Sequence, residues 1–159
     1  MRIDFNWNEE DKIMEATLYT EKGIFKGKAK YNKNEETSPP SFYVGETISA
    51  ARAEKKYCKY CFNELRLQRQ GLLRLLNSVP EKETKTINRI NNLLEVIARQ
   101  QDPYVTRGFE LTERINNVLE SKRIREKSKK VTKEEKEEIR NRIKESFKIL
   151  SNQDKIDKN

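Results

Sequence analysis

The chain contains no histidine, so it has no imidazole to act as a general base or to ligate a metal. Its two cysteines, Cys58 and Cys61, form a single Cys-x-x-Cys pair. One such pair cannot complete a tetrahedral zinc site alone. Three readings stay open: a redox pair, half of a metal site shared across a dimer, or two semi-buried small residues on a helix in a reducing compartment. The flanks, Lys55-Lys56-Tyr57 and Phe62-Asn63-Glu64, continue a helical pattern and favour the last. Among the five glycines there is no phosphate-binding loop and no Gly-x-Ser-x-Gly elbow, and the acids make no cluster with metal-ligand spacing. Glu134, Glu135, Glu137 and Glu138 are dense, but lysines and arginine surround them, the pattern of an exposed helix face. The expectation is a protein that is not an enzyme, with no cofactor and no metal.

Apolar residues are also scarce. Only 34% of the 159 residues are hydrophobic against 38% charged, which suits elongated helices with narrow apolar stripes better than a large core. No apolar run approaches the roughly 20 residues that span a bilayer, and Met1-Arg2-Ile3-Asp4-Phe5-Asn6-Trp7 lacks the apolar core of a signal peptide. A cytoplasmic protein without a membrane partner is expected. The net charge of +8 biases it towards polyanions, whether nucleic acid, an anionic membrane surface or an acidic protein face.

What is present divides in two. Ile3, Phe5, Trp7, then Met14, Ala16, Leu18, then Phe25, Gly27, Ala29, Tyr31 alternate with period two, predicting a three-stranded antiparallel meander. Lys26, Lys28 and Lys30 fall on the opposite face of its third strand. A polar, proline-broken loop over 32–41 precedes a long helix starting between Phe42 and Glu46, whose seam runs through Ile48, Ala51, Lys55, Cys58, Phe62, Leu65, Arg69, Leu72 and Leu76. That seam buries against the sheet or pairs two chains in a homodimer. Ser78-Val79-Pro80-Glu81 reads as a helix start. Asp102-Pro103 and Arg107-Gly108 read as interruptions, and Thr132-Lys133-Glu134-Glu135 as a capping box.

The expected class is therefore α+β. The sheet and long helix occupy residues 1–77 and a helical bundle or arm follows over 78–151. That arm comprises three helices, near 79–101, 108–129 and 133–150, and a frayed tail covers 152–159. Arg89-Ile90-Asn91-Asn92-Leu93-Leu94-Glu95 recurs as Arg114-Ile115-Asn116-Asn117-Val118-Leu119-Glu120, which suggests two similar helices packed side by side.

Two basic surfaces are candidates for binding. Arg52, Lys55, Lys56, Lys59, Arg66 and Arg69 lie on the long helix, interleaved with Tyr57 and Tyr60, which either join the contact or pack on the sheet. Lys122, Arg123, Arg125, Lys127, Lys129 and Lys130 form the densest run, suited to tracking phosphates or to a solvated link between helices.

At the junction of sheet and helix, Gly27-Lys28-Ala29-Lys30, then Gly45-Glu46-Thr47-Ile48-Ser49-Ala50-Ala51-Arg52-Ala53 and Lys56-Tyr57, the chain resembles a group of small uncharacterised proteins of Gram-positive phages and prophages. The resemblance covers about a third of the chain. It implies an accessory protein of the bacterial cytoplasm that redirects or blocks host machinery, and so a host protein or nucleoprotein complex as partner, with direct DNA or RNA binding as the alternative. Independently of ancestry, the small Gly27, Ala29, Ala50 and Ala53 predict close approach of helix to sheet, with Arg52 tying down a loop or reaching outward.

Overall fold

Alternating side chains build the sheet. Arg2–Asn8 (β1), Ile13–Thr20 (β2) and Gly23–Lys30 (β3) form an antiparallel meander in the order β1-β2-β3, followed by two long helices, so the protein is α+β. The computed structural model describes residues 1–31 and 40–156, and gives the backbone alone for 126–134, 136, 139–140 and 142–156. Most of the expected loop over 32–41 lies outside the described residues.

The register stacks three rows on one face: Ile3 on Leu18 on Phe25, Phe5 on Ala16 on Gly27, and Trp7 on Met14 on Ala29. On the other face Glu15 pairs with Lys26 at 2.8 Å and Lys28 at 3.1 Å, and these hydrogen bonds hold its carboxyl below the usual carboxylate range. Asn8 opens the first turn by accepting the N–H groups of Glu10 and Asp11 at 3.0 Å each. Gly23, at φ +133, closes the second, a conformation that side chains rarely adopt.

The first helix, α1, runs Phe42–Ser78, and the Ser41 hydroxyl caps it by accepting the Val44 N–H at 3.4 Å. It lies across β2 and β3 through the predicted small residues. Ser49 and Ala53 are wholly buried there, and a Cβ built on Gly27 would fall 1.9 Å from the Ser49 carbonyl oxygen. Helix and strand thus touch backbone to backbone. Two α1 cations tie down the strand: Arg52 Nη1 donates to the Lys28 carbonyl at 2.5 Å and Lys56 Nζ to that of Lys26 at 2.6 Å. Tyr57 and Tyr60 pack on Phe25 with ring centroids 5.5 and 5.6 Å apart, so both go to the sheet.

The remainder departs from the sequence reading. Ser78-Val79-Pro80-Glu81 does not open a helix. Val79 caps α1, the Glu83 N–H donates to the Pro80 carbonyl at 2.9 Å to close a turn, and the second helix, α2, starts at Thr84. It then runs without a break to Ile156, in place of three helices; the expected tail over 152–159 is helical as far as 156, and 157–159 lie outside the described residues.

Pro103 sits inside α2. Its missing N–H leaves the Arg99 carbonyl without its helical donor, at a cost of roughly 3 kcal/mol relative to alanine. Buried contacts on both sides offset that cost: Ile90, Ile97 and Gln101 before it, Leu111 after it. Gly108 costs only about 1 kcal/mol, too little to end a helix so anchored. At 132–135 threonine, lysine and glutamate are all tolerated within a helix, and a capping box acts only where the backbone already turns.

The two helices run antiparallel, since the cluster of the earlier Ile48 of α1 meets Ile115, Val118 and Leu119 while the later Tyr57 meets Tyr104 with ring centroids 6.3 Å apart. Between them Lys55 Nζ donates to Thr112 Oγ1 at 2.7 Å, and Arg107 grips Glu54 with two bonds of 2.7 and 3.2 Å. Leu111 packs with Ala51 and Cys58, while Ile115, Val118 and Leu119 reach the cluster of Met14, Ala29 and Ile48. The core therefore draws on sheet, α1 and α2 together. The sequence repeat follows one helix, not two: at 100° per residue, its 25-residue offset returns to nearly the same face of α2. On that face Ile90 is buried, and Ile115 packs on the clusters of Ile48 and of Ala51.

Candidate functional site

Four of the predicted site residues converge. Arg52, Lys55, Lys56 and Lys59 project from successive turns of α1 into a groove of about 730 Å³ bounded by the β3 edge and α2. Its floor is apolar: Phe62 and Cys58 from α1, then Tyr104, Val105, Gly108 and Phe109 from α2. Phe109 is 73% exposed and Val105 41%, unusual for apolar residues in the middle of a packed helix pair. Among the described residues no carboxylate lines this groove.

The cations there differ in what holds them. Arg52 and Lys56 are oriented by the strand carbonyls and Lys55 by Thr112, so three of the four are fixed at the rim. Lys59 is exposed and makes no ion pair or hydrogen bond among the described residues. A fixed cation loses less side-chain entropy on binding than a free one, so the three are prepared to meet an anion. Arg66 continues the same α1 face two turns beyond Lys59 and is exposed, outside the groove.

The second predicted surface does not join the first. Lys122 is half-buried and stands over the Tyr31 ring at 5.5 Å, which makes it in part a packing residue. Arg123 lies 4.0 Å from Glu120, and Arg125 is exposed beside a separate groove that includes Tyr43, Glu110, Glu113 and Arg114. The side chains of Lys127, Lys129 and Lys130 lie outside the described residues. They fall on continuous helix, not on a link between two helices.

Val105 and Phe109 escaped sequence reasoning. Their signal is there in retrospect: they are four apart, one helical turn, and out of phase with the Leu111 and Ile115 stripe, so they mark a second apolar face. The Glu54–Arg107 pair had no such signal, since 53 residues separate its members.

Cys58 and Cys61 are both free and buried. Burial pushes the Cys58 thiol above its ordinary range, the reverse of an activated nucleophile. Among the described residues no group of three or more cysteine, aspartate or glutamate side chains is placed to hold a metal. The pair instead shapes its surroundings, because hydrogen bonding to Cys61 and burial push the Tyr57 phenol up to about 12.

A pH dependence follows. A phenol that ionises near 10 in the unfolded chain and near 12 in the folded one adds stability that is complete below pH 10 and is lost as pH rises towards 12. Denaturant unfolding should show stability falling more steeply across that window in the natural chain than in Tyr57→Phe.

No protein-family model, curated protein or solved structure matches the chain. Among the described residues no helix is long and apolar enough to cross a membrane.

Proposed function

We propose that this is a non-enzymatic accessory protein of phage type that binds a host protein or nucleoprotein complex in the bacterial cytoplasm and modulates or inhibits it, an anti-defence role among the possibilities. The observation that carries the binding reading is the groove between β3, α1 and α2. It combines an apolar floor with a cationic rim, Arg52, Lys55, Lys56 and Lys59 from α1 beside Lys26 and Lys28 from β3, the pairing of burial and charge that supports a central anchor and a polar surround in protein interfaces. The phage-type part rests on the resemblance at Gly27–Lys30 and Gly45–Ala53. The homodimer seam finds less support, because Ile48, Ala51 and Cys58 are buried within the chain.

Gly108→Leu is a suitable blocking variant. A Cβ at Gly108 meets nothing within 4 Å and leucine is the better helix former, so the floor fills without cost to the fold. The full-length tagged protein should capture a saturable partner from bacterial lysate at physiological salt, resistant to nuclease, and Gly108→Leu should lose it while melting no lower. Capture of nothing, or capture abolished by nuclease, would overturn the reading in favour of no partner or of nucleic acid respectively.

The nucleic-acid alternative is favoured by the exposure of Arg123 and Arg125 on α2. It requires affinity that falls steeply with salt, with a shallower slope when Arg123, Arg125, Lys129 and Lys130 are neutralised.

A further inference from the structure

We infer that the groove takes an acidic helical segment of the partner protein, inserting one or two bulky apolar side chains between Phe62, Val105 and Phe109. This rests on the binding reading above and adds the chemistry and conformation of what is bound.

Charge decides the first part. Arg52, Lys55, Lys56 and Lys59 surround a floor that no carboxylate lines among the described residues, so a segment carrying aspartate or glutamate beside its apolar anchor matches rim and floor together. A basic or neutral segment would bury the rim against nothing of opposite sign. A nucleic-acid duplex matches the rim alone, because its phosphates cannot follow apolar side chains to the floor.

The strand edge decides the second part. A sheet edge ordinarily invites an added strand, since its outward carbonyls and N–H groups are unpaired. Here the outward carbonyls of Lys26 and Lys28, two residues apart on β3, are already occupied by Lys56 and Arg52 from α1. Strand addition on this side would have to break both bonds. A segment that satisfies its own backbone, and reads the groove only through side chains one turn apart, needs neither broken. That segment is a helix.

The floor has room for such anchors. A Cβ at Gly108 would meet nothing within 4 Å, and two apolar groove residues flank that gap, Val105 three residues before it and Phe109 one residue after. The gap is thus shaped like the hole that receives a knob from a facing helix.

The test is selection of a displayed library of random 16-residue peptides on the full chain, with Gly108→Leu as counter-target. Enriched sequences should carry net negative charge and Leu, Phe or Trp at three- and four-residue spacing. A synthetic representative should gain helical circular dichroism on binding, and its affinity should drop at least tenfold with Gly108→Leu and with Lys59→Glu. Enrichment of neutral or basic peptides, binding without helix formation, or equal binding to both targets would overturn the inference. Displacement of the peptide by a single-stranded 20-nucleotide DNA at equal concentration would overturn it too, in favour of nucleic acid. Failure here with lysate capture still lost in Gly108→Leu would leave the binding function standing and remove only the acidic helix.

Discussion

Gly27→Ala unfolds the protein or costs it about 3 kcal/mol or more, at the upper end of what overpacking does. The expected loss is this large because the added methyl has no side chain to push aside. Its position is 1.9 Å from the Ser49 carbonyl oxygen, 2.5 Å from the Ala53 backbone nitrogen and 3.0 Å from the Arg52 Cβ, so α1 itself must lift from β3. Lifting it separates Ala53 from Ala16 and Leu18, pulls Tyr57 from Phe25, and stretches the bonds from Arg52 and Lys56 to the strand carbonyls.

Gly71→Ala supplies the contrasting measurement. Gly71 lies in the same helix with nothing within 4 Å of its Cβ, and that change should stabilise by about 0.5–1 kcal/mol through helix propensity. Guanidinium unfolding of both variants checks the sign as well as the size. Equal effects from the two glycines would mean that α1 does not cross β3 at Gly27.

The same contact shows how far the sequence carried. The meander was legible because period-two alternation over three short segments admits few alternatives, and the register then follows from the polar turns. The crossing point was legible from composition, since Gly27, Ala29, Ala50 and Ala53 are small where a cover must come close. The same reading left Arg52 to tie down a loop or to reach outward, and it instead holds the Lys28 carbonyl of the strand. The groove was half legible: Arg52, Lys55, Lys56 and Lys59 were visible as a basic face of one helix. The α2 side of the floor was not visible, because which residues of α2 lie opposite Cys58 depends on the length of the turn between Ser78 and Thr84.

Local rules misread the second half for one physical reason. A proline, a glycine and a capping box each shift the local balance by roughly 1–3 kcal/mol. A helix pinned against another through Ile97, Leu111 and Ile115 gains more than that from burial. Propensity rules rank conformations of an isolated segment. They do not include the neighbour that the segment packs on.

That neighbour makes α2 part of the fold, and Leu111→Ala measures how much. Leu111 is 1% exposed, enclosed by Ala51, Cys58, Tyr57, Tyr104 and Ile115, and truncating it removes three buried carbons and leaves a void between the helices. Substitutions of this kind cost about 2–5 kcal/mol. The backbones here are held in place by the Glu54–Arg107 and Lys55–Thr112 contacts, so the void cannot close by sliding one helix, and the expected loss lies in the upper half of that range. A variant ending after Ser78 carries the argument to its limit, because it bares Ala51, Cys58 and the Ile48 side of the sheet cluster at once. It should show the circular dichroism of a largely unfolded chain and no cooperative melt. A cooperative transition in that fragment, together with a loss below about 1 kcal/mol in Leu111→Ala, would place the folded core in residues 1–77 alone and make α2 a separate arm.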